Sequence, residues 1–128
     1  MVLPLHPRTR AAMGRDGLTQ AEARLHVTEP VGHRAALRLA AGARVVLTDS
    51  GGLQKEAFWL GVPCVTLRDE TEWTETLDGG WNVLAGHDPD RIVAAAHRPA
   101  PSGPRPPVYG AGGAAGAVVE RLAAWAER

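Results

Sequence analysis

Apolar and polar positions alternate along this chain in blocks that read as strand, helix, strand. "VLPLH" (Val2 to His6) is a short apolar run that predicts a strand, although Pro4 is awkward for a central one. "PRTRAAMGRDG" predicts a loop and a short helix, and Leu25 to Val27 a second, weaker strand before Pro30 and Gly32. In "HRAALRLAAGA", Ala36, Leu37, Ala40 and Ala41 form an apolar helical face, and Gly42 is placed to end it. "RVVLTD" is the clearest strand: β-branched and nearly continuous, as when helices cover both faces. "LQKEAFWLG" predicts a short helix ending at Gly61, with Pro63 just beyond, and "VPCVTLR" the next buried strand. "TEWTETLDGG" predicts a helical turn and "NVLAG" one more short strand. Asp88 and Pro89 are the N-cap and first position of a further helix. Residues 99–113, rich in Pro and Gly, predict a loop, and 114–127 an amphipathic helix that is apolar at Val118, Leu122 and Trp125 or Ala126. No internal repeat is visible.

Strands alternating with helices imply an α/β fold: a Rossmann-like parallel sheet with helices on both faces. Ligands of such sheets bind beyond the carboxyl ends of the strands. "TDSGG" (Thr48 to Gly52) lies at one of those ends. Ser50 is suited to N-cap the following helix, and Gly51 and Gly52 leave its first amides uncovered. Free amides and the positive end of the helix dipole favour an anion such as phosphate. Glu56, over one turn further in, places a carboxylate where it can accept hydrogen bonds from vicinal sugar hydroxyls. An ordinary strand-to-helix turn needs the same small residues, and neither a Walker pattern nor GxGxxG is present to decide.

Composition narrows the classes. The 128 residues suffice for one domain with a core, and 45% are hydrophobic, as in ordinary globular proteins. Fourteen basic and fourteen acidic side chains cancel, which gives no basic excess for nucleic acid. The single cysteine, Cys64, excludes an internal disulfide framework and suits a reducing compartment; in its buried-strand setting it is expected to be an inert thiol. No apolar run approaches the roughly 20 residues of a membrane span, and the N-terminal run is too short for a signal peptide. A soluble cytoplasmic protein without membrane or nucleic-acid partners is expected. His26, His33, His87 and His97 lack metal-ligand spacing, so no metal site is expected. Arg8 and Arg10 are expected to be solvated, "RDETEWTET" to be an acidic helix face, and Trp59 and Trp81 to serve packing.

The stretch from "VLTDSGGLQKEAFWLGVPCVTLRDETEW" through "TETLDGGWNVLAGHDPDRIV", with "LPLHPRTR" before it and "VYGAGGAA" after it, resembles the C-terminal half of the non-hydrolysing UDP-N-acetylglucosamine 2-epimerase family. "QKEA", "VPCVTLRDETEW" and "GWN" are more similar to the branch acting on UDP-linked 2,3-diacetamido uronic acids than to the branch with "TTERPE". The resemblance implies the second domain of a glycosyltransferase-B-type fold, in an enzyme that interconverts gluco and manno UDP-sugars. It does so by eliminating UDP to a glycal and re-adding it, with no cofactor. Carried onto this sequence, it implies that Ser50, Gly51 and Gly52 hold the diphosphate and Glu56 the ribose hydroxyls. It also implies that His6 is catalytic, near the phosphate and the departing group, and that Arg68 binds substrate beside Asp69 and Glu72. Three departures stand out: His33 and Ala36 where a bulky aromatic region flanks the uracil, Ala111 in place of Asp, and Trp73 where the hexosamine branch has Arg, although the uronic branch also has Trp there.

By the same resemblance, residues 1–128 are one incomplete Rossmann-like UDP-binding domain. The N-terminal domain and the first strand and helix of the second are expected to lie outside it. That strand is central in a doubly wound sheet, and its loss exposes unpaired edges. The partners expected are UDP or a UDP-sugar and either further copies of the chain or a separately encoded N-terminal half. The alternative is a standalone, non-catalytic UDP- or phosphate-binding remnant, or a truncated fragment that oligomerises. Light scattering on the purified chain should therefore give a mass above one copy, and a compact monomer with a six-strand sheet would defeat the expectation.

Overall fold

The computed structural model describes residues 1–110 and 112–126, which form two units, Met1–Ala43 and Arg44–Arg128. All strand pairing in both is parallel, as the alternation of elements predicts. Among the described residues no helix is long and apolar enough to cross a membrane.

In the first unit β1 (Val2–Pro4) pairs with β2 (His26–Thr28), with Val2 opposite His26. Leu5 N–H extends the pairing to Thr28 O at 3.0 Å, and Leu5 is only 1% exposed. With two strands in this sheet, Pro4 lies on an edge, where its missing N–H is tolerated. Helix α1 (Pro7–Glu22) starts directly at Pro7, where a loop is expected, and consists of two helical stretches joined at Gly14. Gly14 interrupts it with φ 63° and ψ −174°, the backbone state a Cβ would oppose. No residue of α1 is buried, and Arg10 meets Glu29 at 2.8 Å on the surface. Helix α2 (His33–Ala41) ends at Gly42 and buries Ala40.

The second unit carries the sheet β3 (Val46–Thr48), β4 (Cys64–Thr66) and β5 (Asn82–Leu84) in that order. Cys64 stands opposite Val46 on one side and Asn82 on the other. Side chains of a strand alternate between faces, yet all three residues of β4 are buried. Both faces are therefore covered, and helices α3 (Gly51–Leu60) and α4 (Pro89–His97) contact this strand. The apolar core is Val46, Ala57, Phe58, Val62, Cys64, Val65 and Ala85. Full burial of one side chain of the size of Phe58 is worth about 1.5–3 kcal/mol.

The helix ends follow the residues that mark them. Gly61 takes φ 69°, and Val62 N–H and Gly61 N–H donate to Ala57 O (2.9 Å) and Phe58 O (3.1 Å), the paired bonds of a Schellman ending. Arg105, from the Pro-rich loop, shares Phe58 O and donates to Trp59 O, and so satisfies one further carbonyl at that end. Asp88 Oδ1 accepts from Asp90 N (2.8 Å) and Arg91 N (3.1 Å) and caps α4. Gly86 is required twice over: its φ is 63°, and a Cβ there would come within 2.5 Å of Asp69 Oδ1. Helix α5 (Ala114–Ala126) buries none of its residues; Val118, Val119, Leu122 and Trp125 are exposed, and the expected residue 127 lies outside the described chain.

A buried polar cluster ties these elements together. Thr66 Oγ1 donates to Asn82 Oδ1 at 2.8 Å. Asn82 Nδ2 donates to Thr76 Oγ1 at 3.0 Å and, more weakly, to Gln54 Oε1 at 3.4 Å. Gln54 Oε1 also accepts from Thr71 Oγ1 at 2.6 Å. Gln54, Thr66, Thr76 and Asn82 are all at most 1% exposed. Each buried group left without its partner costs about 1–3 kcal/mol. Asn82→Ala strands Thr66, while Thr76 keeps its bond to Trp73 O, so urea unfolding should show a loss of about 1–3 kcal/mol. A loss under about 0.5 kcal/mol, the range of ordinary surface substitutions, would refute this account of the core.

Candidate functional site

The carboxyl end of β3 runs into α3 through Asp49 and Ser50. Ser50 is extended (φ −80°, ψ 121°), its N–H donates to Thr48 Oγ1 at 3.0 Å, and its Oγ accepts from Leu53 N at 3.5 Å. The N-cap read from the sequence is thus in place, through a long bond. Gly51 and Gly52 occupy the first two helical positions, whose N–H groups have no intrahelical acceptor. Neither has an acceptor elsewhere among the described residues. Around Gly52 the nearest atom to a Cβ would be Ser50 Oγ at 3.8 Å, so the space beside it is open. A Cβ on Gly51 would meet Trp73 Nε1 at 3.0 Å and Glu72 Oε2 at 3.7 Å, so glycine is what lets these side chains approach the helix start.

Glu56 stands on the same helix. Gly52, Lys55, Glu56 and Trp59 recur at helical spacing and line a cavity of about 420 Å³, closed on another side by Tyr109. Lys55 Nζ lies 3.9 Å from the Trp73 ring centroid and 4.8 Å from that of Tyr109. Tyr109 packs edge-on against Phe58 at 5.7 Å; burial, then the neighbouring Glu75, push its phenol up to about 12. Arg68 leaves the end of β4 and grips Glu72 in a fork, 2.8 and 3.1 Å. The hydrogen bond from Arg68 is the main cause holding the Glu72 carboxyl below its ordinary range, and Glu72 raises Arg68 in return. A second cavity of about 220 Å³, lined by Arg44, Pro63 and Arg98, sits at the amino ends of β3 and β4, the end of the sheet away from "TDSGG".

The structure thus gathers Ser50, Gly51, Gly52 and Glu56 on one helix and puts Arg68, through Glu72, next to Gly51. His6 belongs to the first unit, where it N-caps α1 with Nδ1 accepting from Arg8 N at 3.2 Å. Two expectations are corrected. Trp59 is 60% exposed and lines the cavity, because it falls on the outer face of α3 while Ala57 and Phe58 take the inner one. "RDETEWTET" is not a helix face: the 3-10 helix starts only at Thr74, Glu72 is held by Arg68, and Trp73 lies under Lys55. Trp81 is half-buried, with its indole nitrogen buried and without a partner among the described residues. Ala111, where the chain departs from the family, lies outside the described residues. Gln54, Thr71 and Asn82 escaped the sequence reading, since lone polar residues in short elements carry no spacing that marks them as buried. Among the described residues no cluster of His, Cys, Asp or Glu is arranged to hold a metal.

Cys64 is fully buried, and that burial pushes its thiol up to about 11, against smaller lowering effects from Thr66 and Arg98. The thiolate is the reactive form. Iodoacetamide at pH 8 should therefore leave the folded chain unmodified and label it only after unfolding, as read by intact mass; labelling of the native chain within minutes would contradict this burial.

The family model for UDP-N-acetylglucosamine 2-epimerase matches residues 1–123. The chain is 51% identical over 96 residues to UDP-2,3-diacetamido-2,3-dideoxy-D-glucuronate 2-epimerase of Pseudomonas aeruginosa, covering 75% of this chain and 26% of that protein. It is 47% identical over 96 residues to UDP-N-acetylglucosamine 2-epimerase of Methanococcus maripaludis, covering 73% and 26%. It superposes on the UDP-GlcNAc 2-epimerase of Methanocaldococcus jannaschii with a TM-score of 0.82 and 33% identity, over 95% of this chain and 35% of that one. The structure of the same enzyme in complex with UDP-GlcNAc and UDP gives 0.76 and 31%, over 97% and 35%. The chain spans about a quarter of the length of the curated relatives it matches. With nearly its whole length matched, the chain belongs to the UDP-N-acetylglucosamine 2-epimerase family.

Proposed function

We propose that residues 1–128 are an incomplete Rossmann-like domain, the nucleotide-binding portion of a 2-epimerase acting on UDP-N-acetylhexosamine-type sugars. The observation that carries this is the pair of acceptor-free amides at Gly51 and Gly52. They open a ten-residue helix at the carboxyl end of β3, in a chain similar to an enzyme solved with UDP-GlcNAc and UDP. In this reading the diphosphate sits on the Gly51 and Gly52 N–H groups, with the helix dipole behind them and the Ser50 hydroxyl beside them. Glu56 accepts from the ribose hydroxyls.

The chemistry follows from the leaving group. Breaking the bond between the anomeric carbon and the β-phosphate oxygen, with loss of the C2 proton, gives a glycal and UDP. Re-addition of UDP with protonation of C2 from the opposite face gives the epimer. The sequence is redox-neutral and needs no electron carrier. Negative charge grows on the departing β-phosphate, so amides already aimed at it stabilise that state with little reorganisation. Arg68 is a further cation for the diphosphate, available once its fork to Glu72 opens. By resemblance to the family, His6 carries a catalytic role in this reading. The groups that exchange the C2 proton come from the part of the relatives' fold that this chain does not span.

Calorimetric titration with UDP tests the reading. Binding should weaken about tenfold in Ser50→Ala and in Glu56→Gln, the cost of about one hydrogen bond each. Glu72→Gln, which releases Arg68, should tighten it. UDP-GlcNAc turnover by this chain alone would overturn the dependence on further residues. No UDP binding, with no effect of Ser50→Ala, would sink the nucleotide site.

A further inference from the structure

The main chain of Trp73 is held by hydrogen bonds and its ring by Lys55, yet its indole nitrogen has no partner among the described residues. Its main-chain N–H donates to Thr71 Oγ1 at 3.1 Å, and Thr71 is anchored on buried Gln54. Its carbonyl accepts from Thr76 N at 2.9 Å and Thr76 Oγ1 at 2.6 Å. Its ring carries the Lys55 ammonium at 3.9 Å from the centroid, an attraction between cation and aromatic face. Nε1, a donor only, has no acceptor among the described residues. It points at the start of α3, so close that a Cβ on Gly51 would meet it at 3.0 Å. The N–H groups of Gly51, Gly52 and the indole therefore form one group of three donors without acceptors, beside open space. Glu72 Oε2 comes close to the same place, but both its oxygens are engaged by Arg68.

We propose that Trp73 contacts the ligand: its indole N–H donates to a phosphate oxygen of the bound diphosphate, with Lys55 acting as a positioning residue that holds the ring in place. The proposal rests on the nucleotide-binding reading above. It assigns this neutral donor the place where the hexosamine branch of the family carries an arginine. A neutral N–H offers one directed hydrogen bond, whereas a guanidinium offers a fork and a full charge. The contact thus selects for geometry at one oxygen more than for total charge.

Indole N–H resonances test this directly. The chain has four tryptophans, so a nitrogen-15-labelled sample gives four indole peaks. The Trp73 peak is assigned by its loss in Trp73→Phe or, if that variant does not fold, by elimination with Trp59→Phe, Trp81→Phe and Trp125→Phe. UDP should shift the Trp73 indole together with the Gly51 and Gly52 amides, and uridine, which lacks the diphosphate, should leave the indole in place. Trp73→Phe, which keeps the ring and the stack, should weaken UDP binding about five- to tenfold, and Lys55→Met about two- to threefold. Amide shifts at Gly51 and Gly52 with a static Trp73 indole would overturn the proposal and leave the nucleotide site standing. If millimolar UDP moves neither, the nucleotide reading fails and the proposal with it.

Discussion

The carboxamide of Asn82, closed off from water inside the second unit, is the constraint on which the rest of that unit depends. It accepts from Thr66 on the adjacent strand and donates to Thr76 on the 3-10 helix and to Gln54 on α3. Every unpaired member of a buried polar network keeps its desolvation cost, and in this cluster Gln54 Nε2 is the atom left without a partner among the described residues. These residues are therefore placed jointly or not at all. Their joint placement reaches the surface through Thr71, which ties Gln54 to the main chain of Trp73 and so sets the indole against Gly51. The core and the start of α3 are in this way one hydrogen-bonded system.

Helix α3 shows the same economy. Its inner face buries Gln54, Ala57 and Phe58, and its outer face presents Gly52, Lys55, Glu56 and Trp59 to the cavity. Its two ends are electrically complementary. The amino end presents bare amides suited to an anion, while at the carboxyl end the Arg105 guanidinium sits on the last carbonyls, where the dipole favours positive charge. A ten-residue helix is marginal in isolation, so it is these contacts at both ends and along its inner face that make it a dependable platform.

Much of this was legible in the order of the residues. "RVVLTD" and "VPCVTLR" are strands because β-branched runs flanked by turn residues have few other outcomes, and Gly61, Asp88 and Pro89 mark helix ends by their own stereochemistry. The run "SGG" marked the start of α3, with Ser50 as its N-cap, for the same reason. Other features had no local signature. Helix α1 begins in the stretch expected to be loop, and Gly14 breaks it into two helical stretches. The acidic stretch before Thr74 looked like a solvated face because its charge pairing with Arg68 and the approach of Lys55 to Trp73 join residues from separate elements. Gln54, Thr66, Thr76 and Asn82 are polar types that are usually exposed, and only their mutual pairing makes their burial tolerable. Pairing of that kind is a property of the fold in three dimensions and leaves no period along the chain.

The parallel ladder of the second unit is strictly sequential, with β4 laid between β3 and β5. Cys64 opposes Val46 and Asn82 at equal distances along the chain, and closure entropy grows only with the logarithm of loop length. The two pairings therefore have similar entropic costs, and neither waits on a remote segment. The bond between Gln54 and Asn82 differs, since it forms only once α3, β4 and β5 have met. Strand pairing can thus precede expulsion of the last water from the polar centre. Interactions completed after the main barrier slow escape from the native state without hastening arrival at it. The contact of Asn82 with Gln54 accordingly belongs to the unfolding limb of a chevron, whereas its bond to Thr66 forms with the β4–β5 ladder itself.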